Sequence, residues 1–365
     1  MSEQTKIAWT DSTVGPWLIC TEVSPGCVNC YSRELMINRL KTIARKAFKA
    51  AGFKDWETRP VWGKTAPRIL TRGFQGKMLA MNRRPFICDN CGDASANITG
   101  PTCKCRSKFH RRRSFPSLID WLDDMPAGII DQDGNKLDPI AVLADFLDTL
   151  RQCDQMVHIL CTKRPENFFP RIEAVAARIT DHSRSSFVHS WIHGFAPTNI
   201  ILLTSVENQE QADKRIPELL KIPATCRGLS LEPLLGPVNV GPYILSDRDK
   251  AGFDNQFLEP LEGFKDKKIK WCIAGGESGP KARPCDVSWI RSIVQDCNEC
   301  GCPCFVKQLG ARPIVDEATP DGWPVGTNLI PRTGETALVD LRDKKGGDPA
   351  EWSPDLRVQQ WPCGF

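Results

Sequence analysis

Short apolar runs that end abruptly in polar tails recur along the second half of the chain. Residues 155–161, QMVHILC, stop at TKRPEN; TNIILLTSVEN, CRGLSLEPLLGP, IKWCIAGGESGP and CPCFVKQLGARP repeat the form, each passing from an apolar stretch into a polar loop with glycine or proline in most cases. Runs of this length and composition predict buried strands. Between several of them the apolar residues fall at helical spacing, as in PIAVLADFLDTLRQC, EQADKRIPELLKIP and VSWIRSIVQDCNEC. YSRELMINRLKTIARKAFKAAGF has the same periodicity and stops at Gly52, which predicts a helix over about residues 30–50. Strands alternating with helices imply right-handed parallel crossovers, and the number of units favours a barrel over a small open sheet.

In such a barrel the loops after the strands gather at one face, where sites are built. The polar tails therefore supply candidates: Thr162, Lys163 and Arg164; Ser205, Glu207 and Asn208; Glu232; Gly275, Gly276, Glu277 and Ser278; Lys307 and Gln308. Any one of these alone reads as a solubilising residue, but five sets in register suggest a common purpose. Two segments leave the rhythm. Residues 86–113 interrupt it with clustered cysteines, and residues 320–365, rich in proline, glycine and charge, predict a tail wrapped on the surface. The expected organisation is an α/β barrel, partial or full, from residues 1–85 and 114–319, with a cysteine-rich insert at 86–113 and a C-terminal extension at 320–365.

Composition narrows the class. Hydrophobic residues at 41% and charged residues at 25% are ordinary globular values. No run of about 18 apolar residues is present to span a bilayer, so no membrane partner is expected. The opening MSEQTKIAWTDS lacks the basic-then-apolar pattern of a signal peptide, which predicts a cytoplasmic protein. Seventeen cysteines in a compartment that keeps thiols reduced point to metal or cluster binding, not to disulfides. The net charge of +4 says little, but RSKFHRRRSF at 106–115 concentrates it. That stretch is either a solvated face or a phosphate contact carried by Arg111, Arg112 and Arg113.

The densest candidate chemistry is CTEVSPGCVNC, which places Cys20, Cys27 and Cys30 on one loop with Pro25 and Gly26. Four thiolates complete a structural zinc or a fully ligated iron-sulfur cluster. Three thiolates can hold three corners of a 4Fe-4S cube and leave the fourth iron open to a small molecule. Unrelated buried cysteines, or a zinc ion completed by a distant residue, are the competing readings.

Seven segments carry a resemblance: IAWTDSTVGPWLICTEVSPGCVNCY, SFPSLIDWLDD, HILCTKRPENF, ILLTSVENQEQADKRIPELL, LSLEPLLGPV, IAGGESGPKARP and FVKQLG. Together, in this order and over most of residues 7–310, they resemble the phage-associated three-cysteine proteins grouped with radical S-adenosylmethionine (SAM) enzymes. The resemblance implies a radical SAM type barrel with a 4Fe-4S cluster on Cys20, Cys27 and Cys30. The C-x6-C-x2-C spacing departs from the common C-x3-C-x2-C and matches the smaller family. It also implies SAM bound at the open iron, an external electron donor, and a 5'-deoxyadenosyl radical as the reactive species. GGESG is similar to the segment that contacts the SAM amino group elsewhere, although here it follows a late strand. Lys163 or Arg164 would bind a carboxylate or phosphate, Glu207 or Glu232 ribose hydroxyls, and Ser205 and Asn208 would assist.

Cys88, Cys91, Cys103 and Cys105 read C-x2-C-x11-C-x-C, close to a four-thiolate zinc knuckle, with His110 available as a substitute ligand. An auxiliary iron-sulfur cluster and no metal are the alternatives. Cys297, Cys300, Cys302 and Cys304 are expected to be ordinary reduced thiols, with an auxiliary cluster the sharper reading. The leading functional expectation is a radical SAM enzyme acting on a nucleobase or nucleobase adduct in phage DNA hypermodification, in the cytoplasm of an infected bacterium. An isomerase that rearranges an amino-acid-modified thymidine is one form of it. The rivals are a repair enzyme similar to photoproduct lyases and a non-catalytic, zinc-stabilised nucleic-acid-binding protein.

Overall fold

The structure, a computed structural model, describes residues 5, 7–89, 91–92, 94–95, 108–244, 268–316, 322–332, 336–362 and 364. Its centre is a seven-stranded sheet whose strands lie side by side in chain order. These are β1 (Ser12–Thr13), β2 (Arg113–Phe115), β3 (Val157–Thr162), β4 (Ile200–Ser205), β5 (Cys226–Leu231), β6 (Trp271–Gly275) and β7 (Cys304–Gln308). Every neighbouring pair is parallel. The sheet curls into a half-barrel with β1 and β7 as its edges.

Alternation along the strands sorts two cores. Val157, Ile159, Ile201, Leu203, Trp271, Ile273 and Phe305 share the inner cluster with Trp9. Leu160, Leu202, Leu229, Ala274 and Val306 face the other way, into the larger cluster formed with the helices. Such strands are buried on both faces, which is why they read as continuous apolar runs.

The helices Pro139–Gln152, Gln209–Lys221 and Val287–Glu299 begin at Asp138, Asn208 and Asp286, whose side chains accept backbone N–H bonds from Ile140, Gln211 and Ser288. These caps satisfy orphan donors of the first turn. The helix expected over residues 30–50 is present in three parts: Tyr31–Leu35, a π-turn at Met36–Leu40, and Lys41–Ala50. It stops, as expected, before Gly52, which has φ +77°.

Residues 86–88, 94–95 and 109–111 form a small three-stranded antiparallel sheet, so the described part of the insert has structure of its own. The C-terminal extension differs from the expected surface tail. Trp352 and Leu356 are fully buried. Gln359 bridges to Phe305, and the Trp271 Nε1–H donates to the Gln360 carbonyl at 2.9 Å. Trp361 stacks edge-on against Phe305, 4.8 Å between centroids, and joins the inner cluster. Its proline- and glycine-rich composition concealed Trp361, which packs on the inner cluster, and Trp352, which is buried in the larger cluster on the helix side. Among the described residues no helix is long and apolar enough to cross a membrane.

Candidate cofactor site at the strand ends

The loop carrying Cys20, Cys27 and Cys30 lies across the C-terminal ends of the half-barrel strands. Three of those ends each send charged side chains to it. After β3, the Arg164 guanidinium donates to the Thr21 carbonyl at 2.7 Å and to Asp120 at 2.8 Å. Arg68, fully buried, pairs with Asp123 and donates to the Thr21 hydroxyl. After β4, Glu207 accepts from the Ser24 hydroxyl at 2.6 Å, from Arg215 at 2.8 Å and from Lys163. After β6, Glu277 accepts from the Asn29 amide at 3.0 Å and pairs with Arg283 at 2.7 Å. Arg283 also donates to the Pro25 carbonyl at 3.0 Å. Thr21, Ser24 and Asn29 therefore pin the loop immediately beside its three cysteines.

These contacts set the electrostatics. Burial alone would raise the Glu207 pKa, but Lys163 and Arg215 outweigh it and hold the carboxyl below its usual range. Glu277 is lowered against its burial in the same way, by Arg283 and Asn29. Gly26 is closely packed, because a Cβ there would sit 2.4 Å from a Glu207 oxygen.

None of the three thiols is in a disulfide. Burial pushes the Cys20 thiol up, reinforced by Asp120 and Asp123 and opposed by Arg164 and Arg68. Burial also raises Cys30, the N-cap of the helix Tyr31–Leu35, against the lowering effect of the Ser32 and Arg33 amides and of Lys163. Cys27 lies 3.8 Å from the Ser24 hydroxyl. Cys20 and Cys30 thus have cations nearby, while Cys27 has the Ser24 hydroxyl, which donates to Glu207. Three soft donors on one loop fit a thiolate-held cluster.

The other predicted residues are distributed around this loop. Lys307 pairs with Glu232 at 2.6 Å, and both are only slightly exposed. Ser205 lies 3.4 Å from Cys161 Sγ on the inner face. Thr162 donates to Asp120 at 2.6 Å, Gln308 donates to the Gly276 carbonyl at 2.8 Å, and Asn208 is a helix cap. Gly275 and Gly276 are buried, and a Cβ on Gly276 would meet the Leu309 carbonyl at 2.3 Å; Ser278 follows half-buried. The glycines of GGESG thus serve close backbone packing, and its glutamate serves the cysteine loop.

Cys161, Asp120, Ser24, Asn29 and Arg283 are site residues that sequence reasoning missed. Cys161 could have been found from the alternation Val157, Ile159, Cys161, which turns it inward; burial pushes its thiol up to about 11.

The insert and its flank follow another pattern. Cys88 is buried and Cys91 exposed, while Cys103 and Cys105 lie outside the described residues. His110 differs from the expected substitute ligand: its Nδ1 meets Asp89 at 2.6 Å and its Nε2 meets Asp11 at 3.0 Å, so both nitrogens are engaged. The arginine triplet is likewise turned into the fold. Arg111 donates to the carbonyls of Asp154, Gln155 and Met156, Arg112 is buried, and Arg113 pairs with Asp11 and covers the Trp361 ring at 4.5 Å.

At the opposite end of the sheet, Cys272, Cys297 and Cys302 are buried with their sulfurs within 4.8 Å of one another, close enough to hold a metal ion. The group includes Cys272, which sequence spacing did not connect to the 297–304 cluster.

The family model described as a protein of unknown function (DUF5131) matches residues 4–82 and 134–341. The chain belongs to that family. Both cysteine groups, Cys20/Cys27/Cys30 and Cys272/Cys297/Cys302, fall within the matched residues, whereas the insert and Arg111–Arg113 fall between them. No curated protein and no solved structure matches the chain.

Proposed function

We propose that the protein is a radical SAM enzyme whose 4Fe-4S cluster is held by Cys20, Cys27 and Cys30. The observation that carries this reading is the anchoring of the three-cysteine loop over the strand ends by Arg164, Glu207 and Glu277 through Thr21, Ser24 and Asn29. A loop that merely buried three thiols would have no use for so many charged braces. When bound, the cluster and SAM supply a 5'-deoxyadenosyl radical, a hydrogen-abstracting species.

The chain's own residues do the rest. Arg164, Arg68 and Lys163 offset negative charge beside Cys20 and Cys30. The Glu232–Lys307 pair stands at the inner mouth, where the carboxylate would take ribose hydroxyls or an ammonium and the lysine a carboxylate. Trp9, Trp271, Phe305 and Trp361 close the interior below and exclude water.

The substrate we assign is a nucleobase or nucleobase adduct of phage DNA, with isomerisation of a modified thymidine as its most concrete form. This part is supported by the resemblance of the seven segments and gains nothing from the arginine triplet. The test is anaerobic reconstitution followed by assay of 5'-deoxyadenosine with reductant and SAM, and nucleoside mass spectrometry of DNA incubated with the enzyme. Wild type should release 5'-deoxyadenosine and Glu232→Gln much less. Equal release from Cys27→Ala would defeat the reading.

A further inference from the structure

The second cysteine group is built differently from the first and stands independently of the proposed function. Cys272 lies in β6, Cys297 in the last turns of the helix Val287–Glu299, and Cys302 in the turn that leads into β7. Three separate elements thus deliver three sulfurs to one point. In a tetrahedral zinc site, bonds of about 2.3 Å place sulfurs about 3.8 Å apart. The three thiols, all within 4.8 Å of one another, need little movement to reach that geometry. Corners of an iron-sulfur cube bind separate irons and hold their thiolates farther apart, so this spacing suits a single ion.

A cleft of about 280 Å³ reaches the group from outside, lined by Cys302, Cys300, Cys226, Lys268 and Lys270. Cys300, two residues before Cys302, is half-buried on that cleft. Its sulfur lies outside the 4.8 Å group, so its side chain would turn inward to bring a fourth thiol to the ion. Four thiolates on a divalent ion carry two negative charges, and Lys268 and Lys270 on the cleft wall offset them. We propose that Cys272, Cys297, Cys302 and Cys300 form a structural zinc site that clamps the turn at residues 300–303 to the start of β6. Zinc is chosen over copper(I) because a fourth cysteine, Cys300, lines the cleft that opens on Cys302 and zinc structural sites are four-coordinate.

The experiment is cobalt(II) and zinc titration of wild type, Cys91→Ser, Cys300→Ser and Cys302→Ser, with near-ultraviolet circular dichroism to confirm folding. Wild type and Cys91→Ser should both retain a tight metal equivalent with the strong sulfur-to-cobalt absorption of a thiolate tetrahedron. Cys302→Ser should lose that equivalent. Cys300→Ser, at a half-buried position tolerant of serine, should keep its fold and bind more weakly by at least the roughly 10- to 100-fold that changing a group behind a ligand costs. If Cys302→Ser does not fold, Cys300→Ser alone decides. An unchanged affinity in folded Cys300→Ser, or no tight equivalent left in Cys91→Ser, overturns the site.

Discussion

The two cysteine groups on this half-barrel solve opposite problems. At the strand ends, three thiols are strung along one loop and held by ion pairs and hydrogen bonds reaching in from β3, β4 and β6. At the other end, three thiols from three elements meet in the apolar core beside a cleft that carries Lys268 and Lys270. The first arrangement braces a loop from outside, which suits the cluster proposed for it. The second packs three sulfurs within 4.8 Å of one another, which suits the single ion proposed there. Cysteine count does not separate the two; the company each sulfur keeps does.

The largest expected break in that comparison comes from Glu207. Glu207→Ala leaves Lys163 and Arg215 facing each other without their carboxylate, and stripping one partner from a buried ion network costs about 3–5 kcal/mol. Denaturant unfolding should show that loss. Iron binding should fall with it, while the Cys272 group keeps its metal once the protein is folded.

Acid should strike both regions through their shared sheet. His158 in β3 is fully buried; burial lowers its pKa to about 4, and its ring bonds to Ser114 at 2.8 Å and to the Cys153 carbonyl at 2.9 Å. The folded state holds the ring neutral while the unfolded chain takes a proton below its ordinary value of about 6.5. Stability is therefore unaffected above that pH and is lost as pH falls from about 6.5 to about 4. At 1.36 kcal/mol per pK unit the loss is about 3 kcal/mol. Comparing wild type with His158→Gln in denaturant melts at pH 7 and pH 4.5 checks it: the variant should lack this part of the acid slope.

Gly26→Ala sharpens the comparison most finely. The added methyl would sit 2.4 Å from the Glu207 carboxylate, so the carboxylate or the loop must shift, at a cost of about 1–3 kcal/mol. Iron retention after gel filtration should drop, with tight zinc unchanged. Equal loss of both metals would mean the groups are not independent.

The strands were legible because burial on both faces leaves runs such as ILLTS and WCIAG almost wholly apolar, and a run of that kind announces itself. Their polar tails were legible as a set, since the fold brings Lys163, Glu207, Glu232, Glu277 and Lys307 to one end. What those tails do was not. Arg164, Glu207 and Glu277 look from the chain like ligand-binding groups, yet they brace the cysteine loop through the Thr21 carbonyl and the Ser24 and Asn29 side chains, groups too ordinary to attract notice. The arginine triplet misleads for the same reason: charge density in the sequence does not reveal that Arg113 lies over Trp361, more than two hundred positions away. Cys272 joined Cys297 and Cys302 only in three dimensions, because sheet pairing and helix packing set their spacing.

The most direct measurement is the iron and sulfide content of the anaerobically reconstituted protein, taken together with its visible spectrum. Wild type and Cys302→Ser should each hold about four irons per chain, with the brown absorption of a 4Fe-4S cluster, and Cys27→Ala should hold almost none. A Cys27→Ala protein that keeps its iron, or a wild type that takes up zinc but no iron at the three-cysteine loop, would contradict the account.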